Sequence, residues 1–199
     1  MSLMYKKYIF PIQIFVILEK TSCRMWLNKC LDFNSFHLYI PQKWFFLFIQ
    51  ILKKDLFINF SVLVELTGID MLNQIGFFNN HKNFFCLNRW LLIYNFYEYK
   101  SKNRLNLYLS IENNFYSNSK NSIFSIDKFY NNSSWLEREV SEMYGIFFSI
   151  KKDTRKLLLD YSKIENPLLK DFPCEGLNDV FYNFFFNQVY INKNEVVEL

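Results

Sequence analysis

The chain has 199 residues, of which 51% are hydrophobic and 21% aromatic, and phenylalanine alone accounts for 24 of them. This length fits one large domain or a domain with an extension, and the hydrophobic share is enough for a substantial core. The formal net charge of +4 comes from scattered basic residues. Because no block of like charges occurs, a polyanion-binding surface has weak support.

The sequence offers no local metal site and no membrane-spanning segment. No metal-ligand spacing can be assembled from the cysteines and histidines, which are Cys23, Cys30, Cys86, Cys174, His37 and His81. The thiols are therefore interpreted as small hydrophobic side chains. No stretch reaches the roughly 18 uncharged apolar residues of a spanning helix. We expect a soluble or peripheral protein.

The first part of the chain is predicted to combine helices with strands. Residues 1–32 are apolar with lysines and cysteines interspersed, and they fit either a helix or a strand. Residues 37–40 fit a short strand that ends at Pro41, a residue that suits a helix start. Residues 43–54 are apolar on most sides, which is typical of a buried helix.

An antiparallel hairpin is predicted next, from two runs at residues 85–99 and 103–111 that are joined by a polar turn. Because basic residues are not regularly interleaved, its aromatic side chains are interpreted as sheet core rather than as a base-stacking platform. The other predicted elements are two strands, at 60–66 and 122–126, and two loops, at 73–83 and 113–122. Residues 1–126 are thus predicted to form one α+β domain, with N-terminal helices packed on a mixed or antiparallel sheet.

A short helix is predicted at residues 135–144. Ser133 or Ser134 is a suitable N-cap, and Glu137 stands at the capping-box spacing from Ser134. Gly145 suits the left-handed position that follows a last helical turn.

One carboxylate of this helix departs from its amphipathic pattern. The apolar half comprises Trp135, Leu136, Val140, Met143 and Tyr144, while Arg138, Ser141 and Glu142 lie on the other half. Glu139 falls inside the apolar arc. A carboxylate that faces a core is costly unless it is paired. Glu139 is therefore predicted to be buried against a cation, with Arg155 as its partner, and Glu142 to be solvated.

The residues after the helix are predicted to form a short strand at 147–150, a helical turn at 152–158 capped by Asp153, and an extended segment from Pro167 to Pro173. The aromatic run at 181–186 fits either a tail that lies on a partner or a final strand of the same core. Residues 127–199 are thus predicted to be a helix followed by an extended, partner-binding tail.

Self-contained catalysis is not indicated. Glu137 and Glu139 lie about 200° apart around a helix, so they cannot serve one site together. The sequence has no glycine-rich phosphate loop and no Gly-x-Ser-x-Gly motif.

The same residues carry a family resemblance. The pattern runs through Glu137-Arg138-Glu139, Glu142-Met143-Tyr144, Lys151, Arg155-Lys156-Leu157-Leu158, Asp160-Tyr161, Asn166-Pro167-Leu168-Leu169-Lys170-Asp171-Phe172-Pro173 and Gly176. It resembles the signature of the 30-kDa subunit family of respiratory complex I. A weaker match reaches back to about residue 60, through Leu66-Thr67-Gly68-Ile69-Asp70 and Arg89-Trp90. The chain departs from the family pattern at Lys151, where histidine is usual, at Glu165-Asn166, and at Leu169.

The resemblance implies a non-catalytic subunit of the quinone module in the peripheral arm of NADH:ubiquinone oxidoreductase. Such a subunit binds no cofactor, because NADH, FMN, iron–sulfur clusters and ubiquinone lie on other subunits. Its partners would be the hydrogenase-like quinone-site subunit and the neighbouring iron–sulfur subunits, with no nucleic acid and only indirect membrane contact. Its location would be the matrix side of the mitochondrial inner membrane.

The signature positions are expected to be structural or interface residues, with no catalytic, cofactor or metal role. They are Glu137, Arg138, Glu139, Glu142, Arg155, Asp160, Pro167, Lys170, Asp171, Phe172 and Pro173. A second hypothesis, from the basic pI and the many aromatic residues, is an organellar RNA-binding or ribosomal protein.

Overall fold

The computed structural model describes residues 24–26, 35–54, 60–72, 88–100, 102–111, 122–161 and 165–194. The elements in chain order are β1 (Arg24–Trp26), β2 (Ser35–Pro41), α1 (Gln42–Lys54), β3 (Val62–Asp70), β4 (Trp90–Tyr97), β5 (Arg104–Ile111), β6 (Ser122–Phe124), α2 (Ser133–Tyr144), β7 (Phe147–Ser149), β8 (Asn178–Asn183) and β9 (Gln188–Lys193).

The central element is a five-stranded mixed sheet with the order β1-β2-β5-β4-β3. Strands β2 and β5 are parallel, and the other neighbours in the sheet are antiparallel. Strands β6 and β7 form a parallel pair, and β8 and β9 form a separate antiparallel hairpin. The hairpin predicted from the aromatic runs is confirmed as β4 and β5, and the strand predicted at 37–40 is confirmed within β2.

One face of this sheet forms the core because its strands alternate with period two. Leu92, Tyr94 and Phe96 of β4 are buried against the matching residues of β5. Helix α1 covers them with a stripe spaced three and four residues apart, namely Phe45, Phe48, Ile49 and Leu52. The helix predicted at residues 43–54 is confirmed. Its predicted burial is only partly correct, because Leu47 and Ile51 on its other side are exposed.

Helix α2 packs on the same sheet at β3. Val140 of the helix joins the main core, together with Ile146 and Phe148 just after it. The ring of Tyr144 lies over Gly68, and a Cβ atom at that glycine would stand 2.7 Å from the ring. Glycine at position 68 therefore permits the close approach of α2 to β3.

The predicted fold class is wrong in its balance of helices and strands. The described residues contain two helices and nine strands in three sheets, rather than several N-terminal helices packed on one sheet. A single described helix, α1, precedes β3. The mixed sheet and the short helix that follows it are present. The predicted loop at 73–83 and most of that at 113–122 lie outside the described residues, as do residues 1–23.

Two further local predictions fail in the C-terminal third. Residues 152–158 are irregular, with bends at 152 and at 157–158, rather than a helical turn, and residues 167–173 form successive turns rather than an extended segment. Hydrogen bonds from the amide of Leu169 to the carbonyl of Asn166 and from Phe172 to Leu169 define those turns. No helix of the described residues is long and apolar enough to span a membrane.

Candidate functional site

The two ends of helix α2 differ in their capping. Its N-cap residue is Asn132, which has helical backbone angles and whose side chain makes no capping hydrogen bond. The predicted cap at Ser133 or Ser134 and the capping box to Glu137 are therefore wrong. The predicted C-terminal glycine is confirmed, because Gly145 has a φ of 69° and its amide donates to the carbonyl of Ser141 at 2.9 Å.

Glu137 is the buried carboxylate of this helix. It is 0% exposed, and its two oxygens accept hydrogen bonds from three groups. The hydroxyl of Ser125 lies at 2.7 Å, the amide of Ile126 at 2.9 Å and the Nζ of Lys151 at 3.0 Å. Burial raises the pKa of Glu137, and these three hydrogen bonds and the charge of Lys151 oppose that rise.

Lys151 supplies the cation that a buried carboxylate requires. Its side chain is 2% exposed and also donates to the carbonyl of Ser134 at 2.8 Å. Asp127 lies 3.7 Å from the same Nζ atom and accepts a hydrogen bond from Ser133 at 2.9 Å. The ion pair of Lys151 and Glu137 thus connects the strand that follows α2 to the loop that precedes α2.

The predicted role of Glu139 is wrong. Glu139 is exposed, and Trp135, placed in the apolar arc, is 63% exposed. The buried face runs through Ser133, Glu137 and Val140, so the helix is rotated relative to the predicted arc. Arg155, the predicted partner of Glu139, instead donates two side-chain hydrogen bonds to Asp153, at 3.0 and 2.9 Å.

Glu142 is also buried, contrary to its predicted solvation. Its carboxylate accepts hydrogen bonds from three successive amides, those of Leu157 and Leu158 at 2.9 Å and that of Leu159 at 2.6 Å. Burial tends to raise the pKa of Glu142, but the three amide bonds and the charge of Lys156 lower it. The amides that would have belonged to a helical turn are satisfied by this carboxylate.

Arg138 binds the same segment from a neighbouring position on α2. Its Nε donates to the carbonyl of Arg155 at 2.8 Å, and its Nη2 donates to that of Lys156 at 3.2 Å. The side chain of Asp153 lies 3.5 Å from its Nη1. Helix α2 therefore holds residues 153–159 by an anion at Glu142 and a cation at Arg138.

A second charged cluster lies where β3 ends and β4 begins. Asp70 is 4% exposed, and Arg89 donates to both of its carboxylate oxygens, at 3.0 and 2.9 Å. The amides of Leu72 and Lys170 also donate to Asp70, each at 3.0 Å. Burial tends to raise the pKa of Asp70, but Arg89 and the two amides lower it to about 2.

Signature residues from the C-terminal third complete this cluster. Arg89 also donates to Asp171 at 2.6 Å, and the Nζ of Lys170 donates to the carbonyl of Leu72 at 3.1 Å. The amide of Leu168 donates to the carbonyl of Met143 at the end of α2, at 3.2 Å. Residues 165–171 thus run from α2 to the sheet, and the two charged clusters hold residues 151–159 and 165–171 against the core.

The signature positions differ in what they contact and in how exposed they are. Glu137, Arg138, Glu142, Lys170 and Asp171 bind other parts of this chain. Exposed side chains include Glu139, Arg155 and Asp160, while Pro167, Phe172 and Pro173 are partly buried in the turns. The sequence pattern does not indicate Ser125 or Lys151 as partners of Glu137. The one signal was that Lys151 stands within the signature, 14 residues after Glu137.

The family of the chain follows from its match to one family model. The model described as "Respiratory-chain NADH dehydrogenase, 30 Kd subunit" matches residues 38–178. The chain belongs to this 30-kDa subunit family.

Curated relatives agree with that assignment. The chain is 33% identical over 190 residues to "NADH-ubiquinone oxidoreductase subunit 9" of Paramecium primaurelia, a match that covers 96% of the chain and 87% of the relative. It is 31% identical over 190 residues to the protein of the same name in Paramecium tetraurelia, again over 96% of the chain and 87% of the relative. A subunit of the NADH-quinone oxidoreductase of Rickettsia felis is 35% identical over 136 residues, which covers 68% of the chain and 57% of that relative.

Two solved structures share the fold of this 30-kDa family member. A trypsin-resistant fragment of Nqo5 superposes with a TM-score of 0.54 at 15% identity, over 71% of the chain and 96% of the fragment. A chain of an archaeal membrane-bound sulfane sulfur reductase superposes with a TM-score of 0.61 at 16% identity, over 82% of the chain and 85% of its counterpart. Within the described residues, no group of three or more histidine, cysteine, aspartate or glutamate side chains is placed to hold a metal ion.

Proposed function

We propose that this chain acts in NADH:ubiquinone oxidoreductase as a non-catalytic structural subunit of the quinone module. The observation that carries the proposal is the family match over residues 38–178, in which the charged signature lies. Glu137, Arg138 and Glu142 are engaged with partners in their own chain. These hydrogen bonds stabilise the fold and position segments of the chain, which supports a scaffold role.

The signature helix offers an exposed surface for a neighbouring protein. Trp135 is 63% exposed, with the guanidinium of Arg138 5.7 Å from its ring centre, and Leu158 and Tyr161 are 60% and 69% exposed. Aromatic residues and arginine are enriched at protein interfaces. The surface formed by Trp135, Leu158, Tyr161 and Glu139 would contact the hydrogenase-like quinone-site subunit and its iron–sulfur neighbours.

The proposal assigns the redox chemistry to other subunits. NADH, FMN, the iron–sulfur clusters and ubiquinone would be bound there, and this chain would carry none of them. Its location would be the matrix side of the mitochondrial inner membrane, with membrane contact only through the complex. The division into a domain at residues 1–126 and a signature helix with a partner-binding tail at 127–199 stays a prediction.

A native gel tests the proposal. The tagged chain should migrate with the band that stains for NADH dehydrogenase activity. Glu139→Lys and Trp135→Ser, which alter the exposed surface, should reduce its share of that band without unfolding the isolated chain. Migration with ribosomal particles, in a manner sensitive to ribonuclease and to salt, would contradict the proposal.

A further inference from the structure

The hairpin of β8 and β9 carries the largest run of exposed aromatic residues in the described chain. Three consecutive phenylalanines form its tip, and Phe184, Phe185 and Phe186 are 82%, 95% and 67% exposed. We define these three residues as the Phe tip. The family model matches only to residue 178, so the tip lies beyond the part of the chain that this model describes.

One face of the hairpin continues the Phe tip. Val180 pairs with Ile191 and Tyr182 with Val189, and all four side chains are largely exposed. The ring of Phe184 packs edge-on against Tyr182, with 5.1 Å between ring centres. The tip and this face therefore form one continuous apolar surface.

Two hydrogen bonds shape the backbone turn that carries the Phe tip. The amide of Phe185 donates a hydrogen bond to the side-chain oxygen of Asn183 at 3.0 Å. The hydroxyl of Tyr182 donates one to the side-chain oxygen of Asn187 at 3.1 Å. Asn187 has a φ of 50°, a conformation that asparagine tolerates better than most residues. These contacts restrict the loop backbone, which lowers the conformational entropy that binding through the loop would cost.

The base of the hairpin is hydrogen-bonded to residues 175 and 177, which follow the signature residues 165–171. The amide of Asn194 donates to the carbonyl of Leu177 at 3.1 Å, and its side chain donates to the carbonyl of Glu175 at 2.9 Å. Residues 170 and 171, a few positions earlier, are fixed to Asp70 and Arg89. The hairpin therefore begins seven residues after Asp171, the last residue with a hydrogen bond to the sheet cluster.

The exposed area matches that of a protein interface. An aromatic side chain carries roughly 150–250 Å², so the Phe tip alone presents on the order of 400–500 Å². The largest apolar patch on a typical monomer is about 300–600 Å². With the adjoining face, the surface approaches the roughly 800 Å² that each partner contributes to a standard interface.

The charge of the hairpin favours a protein rather than an anionic surface as the occupant. Residues 178–193 contain two charged side chains, Asp179 and Lys193, and both lie at the base, away from the tip. A lipid surface or nucleic acid is normally bound through clustered lysine and arginine, which this hairpin lacks.

We propose that the Phe tip inserts into an apolar pocket on a neighbouring subunit of the NADH dehydrogenase assembly, an inference that rests on the function proposed above. The tip would act as an aromatic anchor, since large aromatic side chains that are fully desolvated dominate the binding energy of interfaces. The face of Val180, Tyr182, Val189 and Ile191 would line the contact around it.

Competition for incorporation tests this inference. The triple variant Phe184→Ser, Phe185→Ser, Phe186→Ser is expressed together with the wild-type chain, and the ratio of the two in the purified complex is measured by mass spectrometry. We expect its share to fall at least about tenfold. The matched control is Val64→Ser, which removes an exposed apolar side chain of β3 and should compete equally with the wild type. Thermal unfolding of each isolated variant checks that the chain still folds.

A photo-crosslinking residue at position 185 identifies the occupant in the intact complex. The expected product joins this chain to a different protein of the complex. Crosslinks to lipid or to a second copy of this chain, or equal incorporation of the triple variant, would overturn the inference while leaving the proposed function intact. Absence of the wild-type chain from the complex would overturn the proposed function itself.

Discussion

Arg89 and Asp70 form a bidentate ion pair that joins the end of β3 to the start of β4, with Nε and Nη2 lying 3.0 and 2.9 Å from the two carboxylate oxygens. The same carboxylate accepts the amide of Lys170, which is 100 residues away in the sequence. The ion pair therefore connects β3 to β4, and it also binds the signature residues around Lys170 to the sheet.

This pair predicts an acid dependence of stability. The pKa of Asp70 is lowered from 3.8 to about 2 in the folded chain, so its contribution is present above pH 4 and is lost as the pH falls towards 2. A shift of that size corresponds to about 2 kcal/mol. Urea unfolding of the wild type should show this loss between about pH 4 and pH 2, and Asp70→Asn should remove much of it.

The matched control for that experiment is Asp179→Asn, an exposed carboxylate in the hairpin. At pH 7 it should change the free energy of unfolding by less than about 0.5 kcal/mol, as is usual for exposed sites. Equal losses at pH 7 for Asp70→Asn and Asp179→Asn would show that the Arg89 cluster does not stabilise the fold.

The buried pair of Glu137 and Lys151 gives a second prediction. Glu137→Ala leaves Lys151 buried without its carboxylate and should destabilise the fold by about 3–5 kcal/mol. Glu139→Ala, two residues away and exposed, should cost less than about 0.5 kcal/mol. Denaturant unfolding measures both. The periodicity of the sequence predicts the opposite order, so a larger loss for Glu139→Ala would restore that interpretation.

The carboxylate of Glu142 predicts a local effect on residues 157–159. Glu142→Ala removes the acceptor for three amides and should destabilise the fold by about 2 kcal/mol. Hydrogen exchange should show faster exchange at Leu157, Leu158 and Leu159, while the core strands keep their protection. Glu142→Gln keeps one acceptor oxygen, so its effect should lie between those of the wild type and Glu142→Ala. Unchanged exchange at these amides would mean that α2 does not hold the segment.

The contact between Gly68 and Tyr144 predicts an overpacking effect. A Cβ atom at position 68 would stand 2.7 Å from the Tyr144 ring, so Gly68→Ala should destabilise the fold by about 1–3 kcal/mol. The double variant with Tyr144→Ala should lose less than the sum of the two single changes, because the clash is removed. Additive losses in thermal or urea unfolding would contradict this packing of α2 on β3.

Short-range patterns predicted much of the sheet but not the rotation of α2. Alternation and the polar turn identified β4 and β5, and Gly145 marked the helix end, because these signals are local. The choice between Glu137 and Glu139 as the buried carboxylate depends on Ser125 and Lys151, which lie 12 and 14 residues from Glu137. Periodicity contains no information on such partners.

Local patterns do not predict the turns of the C-terminal third, for the same reason. The amides of Leu157 to Leu159 bind Glu142, and that of Lys170 binds Asp70, instead of continuing a helix or an extended segment. The family resemblance identified these positions as a signature without indicating what each one contacts. Their roles within the chain follow only from the tertiary structure.

Depletion of a respiratory-membrane extract tests the central claim most directly. An antibody or tag on this chain is used to remove it under conditions that keep complexes intact, and the NADH:ubiquinone reductase activity left in the supernatant is measured. If the chain is a constituent of the enzyme, activity should fall in proportion to the chain removed and should be recovered in the bound fraction. Removal of the chain with the activity left wholly in the supernatant would contradict the account.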